Sequence, residues 1–317
     1  MEWWSNDKED KKTALHHSST PIVFMFTLKA PAKINWSLYV LNKRDDGYHN
    51  ILSLMHCIGL YDTLTFEHSD TIELITDMGI PPQHNLVYKA AQSLQSHAGI
   101  KDGARIVLKK EIPSGAGLGG GSSDAACTLI GLNKLWGLGL KDDKLKIIGS
   151  RLGSDVPFFF GNMAGNPMAI AEERGDVLTP LKIDISYTLL LIKPSVSIST
   201  AWAYEKLGAR DKGQGAKTEL TKTMDKFNNT QLIYKALKTG NVSLLKSNAH
   251  NDFEEVVMEK HPIIKDLRGK LLNAGASMAI MSGSGSTVFG LFEDRDKAVN
   301  ASRQFSSHWN RVVETLI

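Results

Sequence analysis

The sequence predicts an α+β protein in two domains, on three observations. Its 317 residues are too many for one ordinary domain and comfortable for two. Strand patterns lead and helical patterns follow in each half, an order that suits α+β rather than a regular βαβ alternation. A glycine-rich loop at 113–123 joins a strand to a helix.

Composition excludes several classes. Apolar residues make up 42% and charged residues 22%, so the chain is neither disordered nor collagen-like. A net charge of +3, from 37 basic and 34 acidic residues, does not call for a polyanionic partner. Cys57 and Cys127 stand far apart with no CxxC or Cys/His cluster, which argues against zinc. Each is read as a small core residue in a reducing cytoplasm. The apolar runs at 22–28 and 189–192 fall far short of the about 18–20 residues that span a bilayer. Charges before residue 22 and Ala30-Pro31-Ala32 mimic a secretion signal. Cleavage there would remove the start of the best strand, so the segment is read as the beginning of the fold.

Residues 1–20 are polar and aperiodic and are expected to be a disordered leader. From 26 to 40 apolar residues alternate with others, the period of a strand. The alternation predicts that Lys33, Asn35 and Ser37 share one direction, away from the core face. A turn follows at 42–50, then strands at 51–66 and 71–76. Asn85 is a candidate N-cap for a helix to about residue 97. A strand at 104–109 leads into the glycine loop, a helix at 122–138 and another at 142–152. Gly153 ends that helix and Ser154 is placed to cap the next turn. A hairpin about Gly175-Asp176 spans 168–181, and 187–193 is a buried strand. Residues 208–226, rich in Gly, Lys and Thr, are expected to form a mobile surface loop. Helices at 229–238, 242–247 and 262–273 and strands at 277–281 and 286–292 complete the chain. The domains are drawn at 21–180 and 181–317.

The loop is the strongest segment. Its residues are Pro113, Ser114, Gly115, Ala116, Gly117, Leu118, Gly119, Gly120, Gly121, Ser122 and Ser123. Five glycines within 115–121 free the backbone for positive φ and let N–H groups converge on an anion. The helix that follows adds its N-terminal donors and dipole. A Walker A loop fails here because no Gly-Lys-Ser/Thr occurs. Gly115, Gly117 and Gly120 satisfy G-x-G-x-x-G, yet the helix is followed by a helix rather than a strand, against a dinucleotide fold. Protein-kinase signatures are absent.

This loop resembles the central motif of the GHMP small-molecule kinases. Pro31-Ala32-Lys33-Ile34-Asn35 resembles their N-terminal motif, and 275–289, with Ser282-Gly283-Ser284-Gly285-Ser286, their C-terminal one. Asp46-Gly47-Tyr48-His49 and Gly153-Ser154-Asp155-Val156-Pro157-Phe158 resemble the branch that acts in non-mevalonate isoprenoid synthesis. The resemblance covers roughly residues 28–292. It implies an N-terminal ATP-binding domain and a C-terminal ferredoxin-like domain with the active site between them. It also implies ATP-dependent phosphorylation of the 2-hydroxyl of 4-diphosphocytidyl-2-C-methyl-D-erythritol, with Mg²⁺, by a monomer or homodimer without nucleic acid or membrane. ATP would rest on 113–123, with Asn85 and Lys110 near the nucleotide. Asn35, Tyr48 and His49 would hold the acceptor, Asp155 would be the acid/base and Lys33 its partner.

Each assignment competes with a plainer one. Lys33 on an outer strand face suits solvent. Asp155 suits a helix start, Tyr48-His49 a polar turn, and 282–286 a tight hairpin. Asp124 departs from the family pattern, which has Asn or Ala there, and adds a charge beside the phosphates. The rivals are another GHMP kinase with a mevalonate-type or sugar acceptor, and a non-catalytic nucleotide or nucleic-acid binder on the same scaffold.

Overall fold

The computed structural model of the protein describes residues 25–210 and 219–317. The expected leader at 1–20, and 211–218 of the expected loop, lie outside the described residues. The rest of that loop is helical. Residues 208–210 end helix α5 (Thr200–Arg210), and 219–226 begin α6 (Glu219–Thr239).

The first sheet is built on two long antiparallel strands, β1 (Met25–Lys43) and β2 (His49–Ser69). β3 (Ile72–Ile75) and β4 (Gly103–Lys109) extend it beside the second half of β2. The hairpin of β5 (Met168–Glu173) and β6 (Val177–Leu181) pairs with the first half of β2. β8 (His250–Asn251) lies parallel to β1 on its far side. Four helices cover one face: α1 (Leu86–Ala98), α2 (Gly120–Leu135), α3 (Asp142–Ser150) and α4 (Val156–Met163).

The second sheet has strand order β11-β7-β10-β9, all antiparallel, from β7 (Thr188–Lys193), β9 (Met278–Met281), β10 (Val288–Phe292) and β11 (Trp309–Glu314). Numbered within this domain the order is 4-1-3-2. With α10 (Arg295–Ser302) before β11, it is the ferredoxin-like arrangement that the resemblance implies. α5, α6, α7 (Val242–Asn248), α8 (Phe253–Lys260) and α9 (Pro262–Asn273) lie in the long connection after β7. One apolar cluster joins the sheets: Ile34, Trp36 and Leu54 of the first meet Leu189, Phe289 and Leu291 of the second. Among the described residues no helix is long and apolar enough to cross a membrane.

β1 corrects the simple alternation read from the sequence. Its residues alternate in exposure only as far as Ala30; from Pro31 to Val40 both faces are buried. Leu28 and Ala30 belong to the cluster under α1–α4, whereas Ala32, Ile34 and Trp36 belong to the cluster between the sheets. The change coincides with a register shift between Pro31 and Ala32, where a bulge re-aims side chains. Lys33 and Asn35, paired with Cys57 and Met55, thereby lie on the helix-covered side. A second shift between Asn35 and Ser37 turns Ser37 away from them, and its hydroxyl lies 3.4 Å from Thr230 of α6. The three residues do not share one direction.

Candidate active site

The cradle begins where β4 ends. Gly115, Gly117 and Gly119 have φ of +61°, +76° and +70°, a region costly for residues with a Cβ. Space demands glycine as well. A Cβ on Gly117 would lie 2.1 Å from the Ser282 carbonyl oxygen, and one on Gly119 would lie 2.9 Å from the Phe159 ring. α2 starts at Gly120, two residues earlier than its sequence suggests, with Gly119 as N-cap and no side-chain cap. The first-turn N–H groups of α2 therefore have no intrahelical acceptor and are free to meet an anion.

Lys33 lies beneath this loop. It is 4% exposed, and its backbone N–H donates to Leu118 O (2.9 Å). Its Nζ donates to Asn35 Oδ1 (2.7 Å) and lies 3.8 Å from Asp155 Oδ2. Asn35 in turn donates to Ser53 Oγ (2.7 Å), which donates to Ser37 O (2.7 Å), so the lysine is held by a short polar chain. Burial pushes the Lys33 pKa down, and the charge of Asp155 pulls it back. The solvated reading of Lys33 is therefore wrong. Asp155, at the N-cap position of α4, spends no side-chain hydrogen bond on the helix. Its side chain is one-third exposed. The capping role expected of Ser154 is not made.

A cavity of about 590 Å³ joins these groups. Lys33, Asn35, Asn85, Lys110, 113–122 and Asp155 line it, together with Arg174, Thr200, Tyr204, Phe253 and 283–285. Asn85 caps α1, accepting from Val87 N–H (2.9 Å). The ammonium of Lys110 is already committed: it bonds to Asp62 and to Asp124 Oδ2 (2.7 Å). Asp62, fully buried, also accepts from the N–H groups of Glu111 and Ile112. The charge of Asp124 thus points into an internal cluster. Burial raises its pKa to about 7, Lys110 opposes the rise and Asp62 adds to it. Asp124 Oδ1 is buried without a hydrogen-bond partner.

Tyr48 and His49 stand at the rim instead of lining the cavity. Tyr48 is 56% exposed, with the Arg174 guanidinium 5.2 Å from its ring centroid. His49 stacks on Tyr204 at 5.0 Å and 15°, and Tyr204 meets Phe253 edge-on at 4.8 Å. Burial, and then the charge of Lys43, push the His49 pKa down. Tyr204, Thr200 and Arg174 carried no sequence signal, because they come from stretches without a decisive period.

The 282–286 loop is both hairpin and wall. It connects β9 to β10, and Ser282 Oγ donates to Gly117 O (3.0 Å) while Thr287 N–H donates to Ala116 O (3.2 Å). Asn251, unassigned from sequence, donates to Met281 O (2.7 Å) and Gly283 O (2.8 Å) and fixes the loop from behind.

Comparison with known proteins fits this geometry. The GHMP kinases N terminal domain matches residues 85–162 and the GHMP kinases C terminal domain matches 233–311. A 4-diphosphocytidyl-2-C-methyl-D-erythritol kinase of Thermodesulfovibrio yellowstonii is 52% identical over 92% of this chain and 99% of its own length. The chain belongs to the 4-diphosphocytidyl-2-C-methyl-D-erythritol kinases. A relative of that name in Geobacter metallireducens is 39% identical over 89% of the chain and 95% of its own length. A crystal structure of a 4-(cytidine 5'-diphospho)-2C-methyl-D-erythritol kinase superposes with a TM-score of 0.75 at 31% identity, covering 92% of this chain and 100% of that one. The L. major mevalonate kinase shares the fold alone, with a TM-score of 0.69 at 14% identity. The kinase is thus a two-domain GHMP enzyme of α+β class, and GHMP kinases use ATP.

Proposed function

We propose that this kinase transfers the γ-phosphoryl group of ATP to the 2-hydroxyl of 4-diphosphocytidyl-2-C-methyl-D-erythritol, with Asp155 as the base. The observation that carries this reading is the Lys33–Asp155 pair, 3.8 Å apart, in the wall of the cavity that also holds the glycine cradle. Phosphoryl transfer is mainly positioning and charge stabilisation. Asp155 accepts a hydrogen bond from the acceptor hydroxyl and takes its proton late in the step. Lys33, fixed by Asn35, lies beside the carboxylate and offsets charge on the transferring group. The phosphates lie on the N–H groups of 115–122; the Ser123 N–H is spent on Gly119 O (2.9 Å). Asn85 borders the nucleotide. Lys110 acts indirectly, by neutralising Asp62 and Asp124 behind the loop.

The cytosine belongs at the rim, among Tyr48, His49 and Tyr204, where flat rings offer stacking and the imidazole offers a polar edge. Among the described residues no cluster of three or more His, Cys, Asp or Glu is placed to hold a metal. Mg²⁺ fits the site nonetheless, since it takes one or two protein oxygens beside substrate phosphates. The orphaned Asp124 Oδ1 and the Ser122 hydroxyl on the cavity wall are the oxygens that would hold it. Bound there, the ion neutralises phosphate charge. The reading divides the chain at 21–180 and 181–317. It places the kinase in the cytoplasm, where the buried free thiols of Cys57 and Cys127 stay reduced.

The test is a phosphorylation assay with purified protein, ATP and Mg²⁺ over a panel of alcohols. Turnover of the cytidylyl diphosphate, with mevalonate and homoserine untouched, is the expected outcome. Preference for either of the latter would refute the acceptor assignment.

A further inference from the structure

The tip of the β5–β6 hairpin, residues 173–176, reaches both ends of the acceptor path. At one end, Gly175 lies beside Asp155: a Cβ there would be 3.8 Å from Asp155 Oδ1, an ordinary contact, and a tighter 3.2 Å from Ile51 Cδ1. At the other end, the tip and the Tyr48 turn exchange cations. Arg44, from the turn, donates to Glu173 Oε2 (3.2 Å), and Arg174, from the tip, covers the Tyr48 ring. Arg44 also donates to Asp46 Oδ2 (3.2 Å), and Asp46 Oδ1 accepts from the Tyr48 N–H (3.1 Å). Arg174 is itself anchored on Asp176 (2.5 Å). Glu173 adopts φ +53°, an uncommon conformation for a residue with a side chain, which sends the two side chains of the tip to their separate partners.

An exposed tyrosine on a turn has rotamer freedom that binding must remove. With a guanidinium on one face, the Tyr48 ring is held in place and its opposite face is left for a base. We propose that Arg174 is a positioning residue for acceptor specificity, acting through Tyr48. Arg174 is absent from the motifs that carried the sequence reading, and it lines the same cavity as Asp155.

The inference rests on the acceptor reading of Tyr48, and its test separates the two. Steady-state kinetics are measured for the parent, Arg174→Met, Arg174→Lys, Tyr48→Ala and the Arg174→Met/Tyr48→Ala double variant, with ATP and 4-diphosphocytidyl-2-C-methyl-D-erythritol varied in turn. An exposed cation–ring contact corresponds to about a two- to fivefold effect. Arg174→Met should raise the acceptor KM by that factor and leave the ATP KM and the melting temperature unchanged. Arg174→Lys, which keeps a cation, should recover most of the loss. In the Tyr48→Ala background Arg174→Met should add nothing. An undiminished effect in that background would overturn the inference, since Arg174 would then act without Tyr48. So would an unchanged acceptor KM in Arg174→Met. A parent protein that does not turn over this acceptor at all would instead refute the proposed function.

Discussion

At the nucleotide end of the cavity the recognising groups are backbone. Gly115, Gly117 and Gly119 take positive φ; the 282–286 loop packs against Gly117 and Lys33 against Gly119. At the acceptor end they are side chains drawn from separate segments. Tyr48 lies on a turn, Arg174 on a hairpin tip and Tyr204 on α5. The first end is rigid because it is crowded: a Cβ on Gly117 would meet the main chain of Ser282, and one on Gly119 the side chains of Phe159 and Lys33. The second is adjustable because each group can be exchanged without unfolding its neighbours. One scaffold can therefore keep a common phosphate donor while its acceptor varies.

Of the tests that set the two ends against each other, the larger expected effect is at the rigid end. Gly117→Ala sets a methyl group against the Ser282 carbonyl, 2.1 Å away, on a backbone of positive φ. Calorimetry should show ATP affinity lower by roughly 10²-fold or more, with a folded protein by circular dichroism. Tyr48→Ala tests the adjustable end. Loss of a stacking face should raise the acceptor KM about 5- to 150-fold and leave the ATP KM alone. Equal rises in both would show that the ends are not separable.

Acid tests the frame on which both ends hang. His56 is fully buried, accepts from the Trp36 indole N–H at Nδ1 (3.1 Å) and so donates from Nε2 to Leu316 O (2.8 Å). Burial pushes its pKa from 6.5 to about 4. Because the folded value is depressed, the unfolded chain binds the proton first. Stability is fully present above pH 6.5 and falls as the pH drops towards 4, by at most about 3 kcal/mol. In urea unfolding across that range, the loss of stability towards acid should be steeper in the parent than in His56→Gln.

The last effect is local to the nucleotide end and has the opposite pH direction. The folded pKa of Asp124 is raised from 3.8 to about 7, so its ionisation costs stability as the pH rises through that window. Asp124→Asn should gain melting temperature relative to the parent over the same range. A constant difference between the two proteins would remove Asp124 from the charge balance around Lys110.

The same contrast explains what the sequence could tell. The cradle was legible because glycine composition is itself the device, and no distant residue is needed to recognise it. Asp155 and Lys33 were legible through short motifs. The burial of Lys33 was not, because it depends on a register shift between Pro31 and Ala32 that no period in β1 reveals. Asn251 acts on carbonyls thirty residues away, and Arg174 on a ring from another strand pair, so neither leaves a local trace. α8, α10 and β11 escaped notice for a related reason. Each is short, and its apolar residues are sorted by the second sheet rather than by a long amphipathic run.

The two ends meet at Asp155, and the account stands on that residue. Asp155→Asn keeps shape and hydrogen bonding while removing charge and basicity. The decisive measurement is kcat for this variant with saturating ATP and acceptor, alongside ATP affinity by calorimetry. The account predicts a fall in kcat of about 10²–10⁴ with ATP affinity near that of the parent, because the carboxylate lies outside the glycine cradle. A kcat close to the parent's would contradict it and leave the cavity with positioning alone as its source of catalysis.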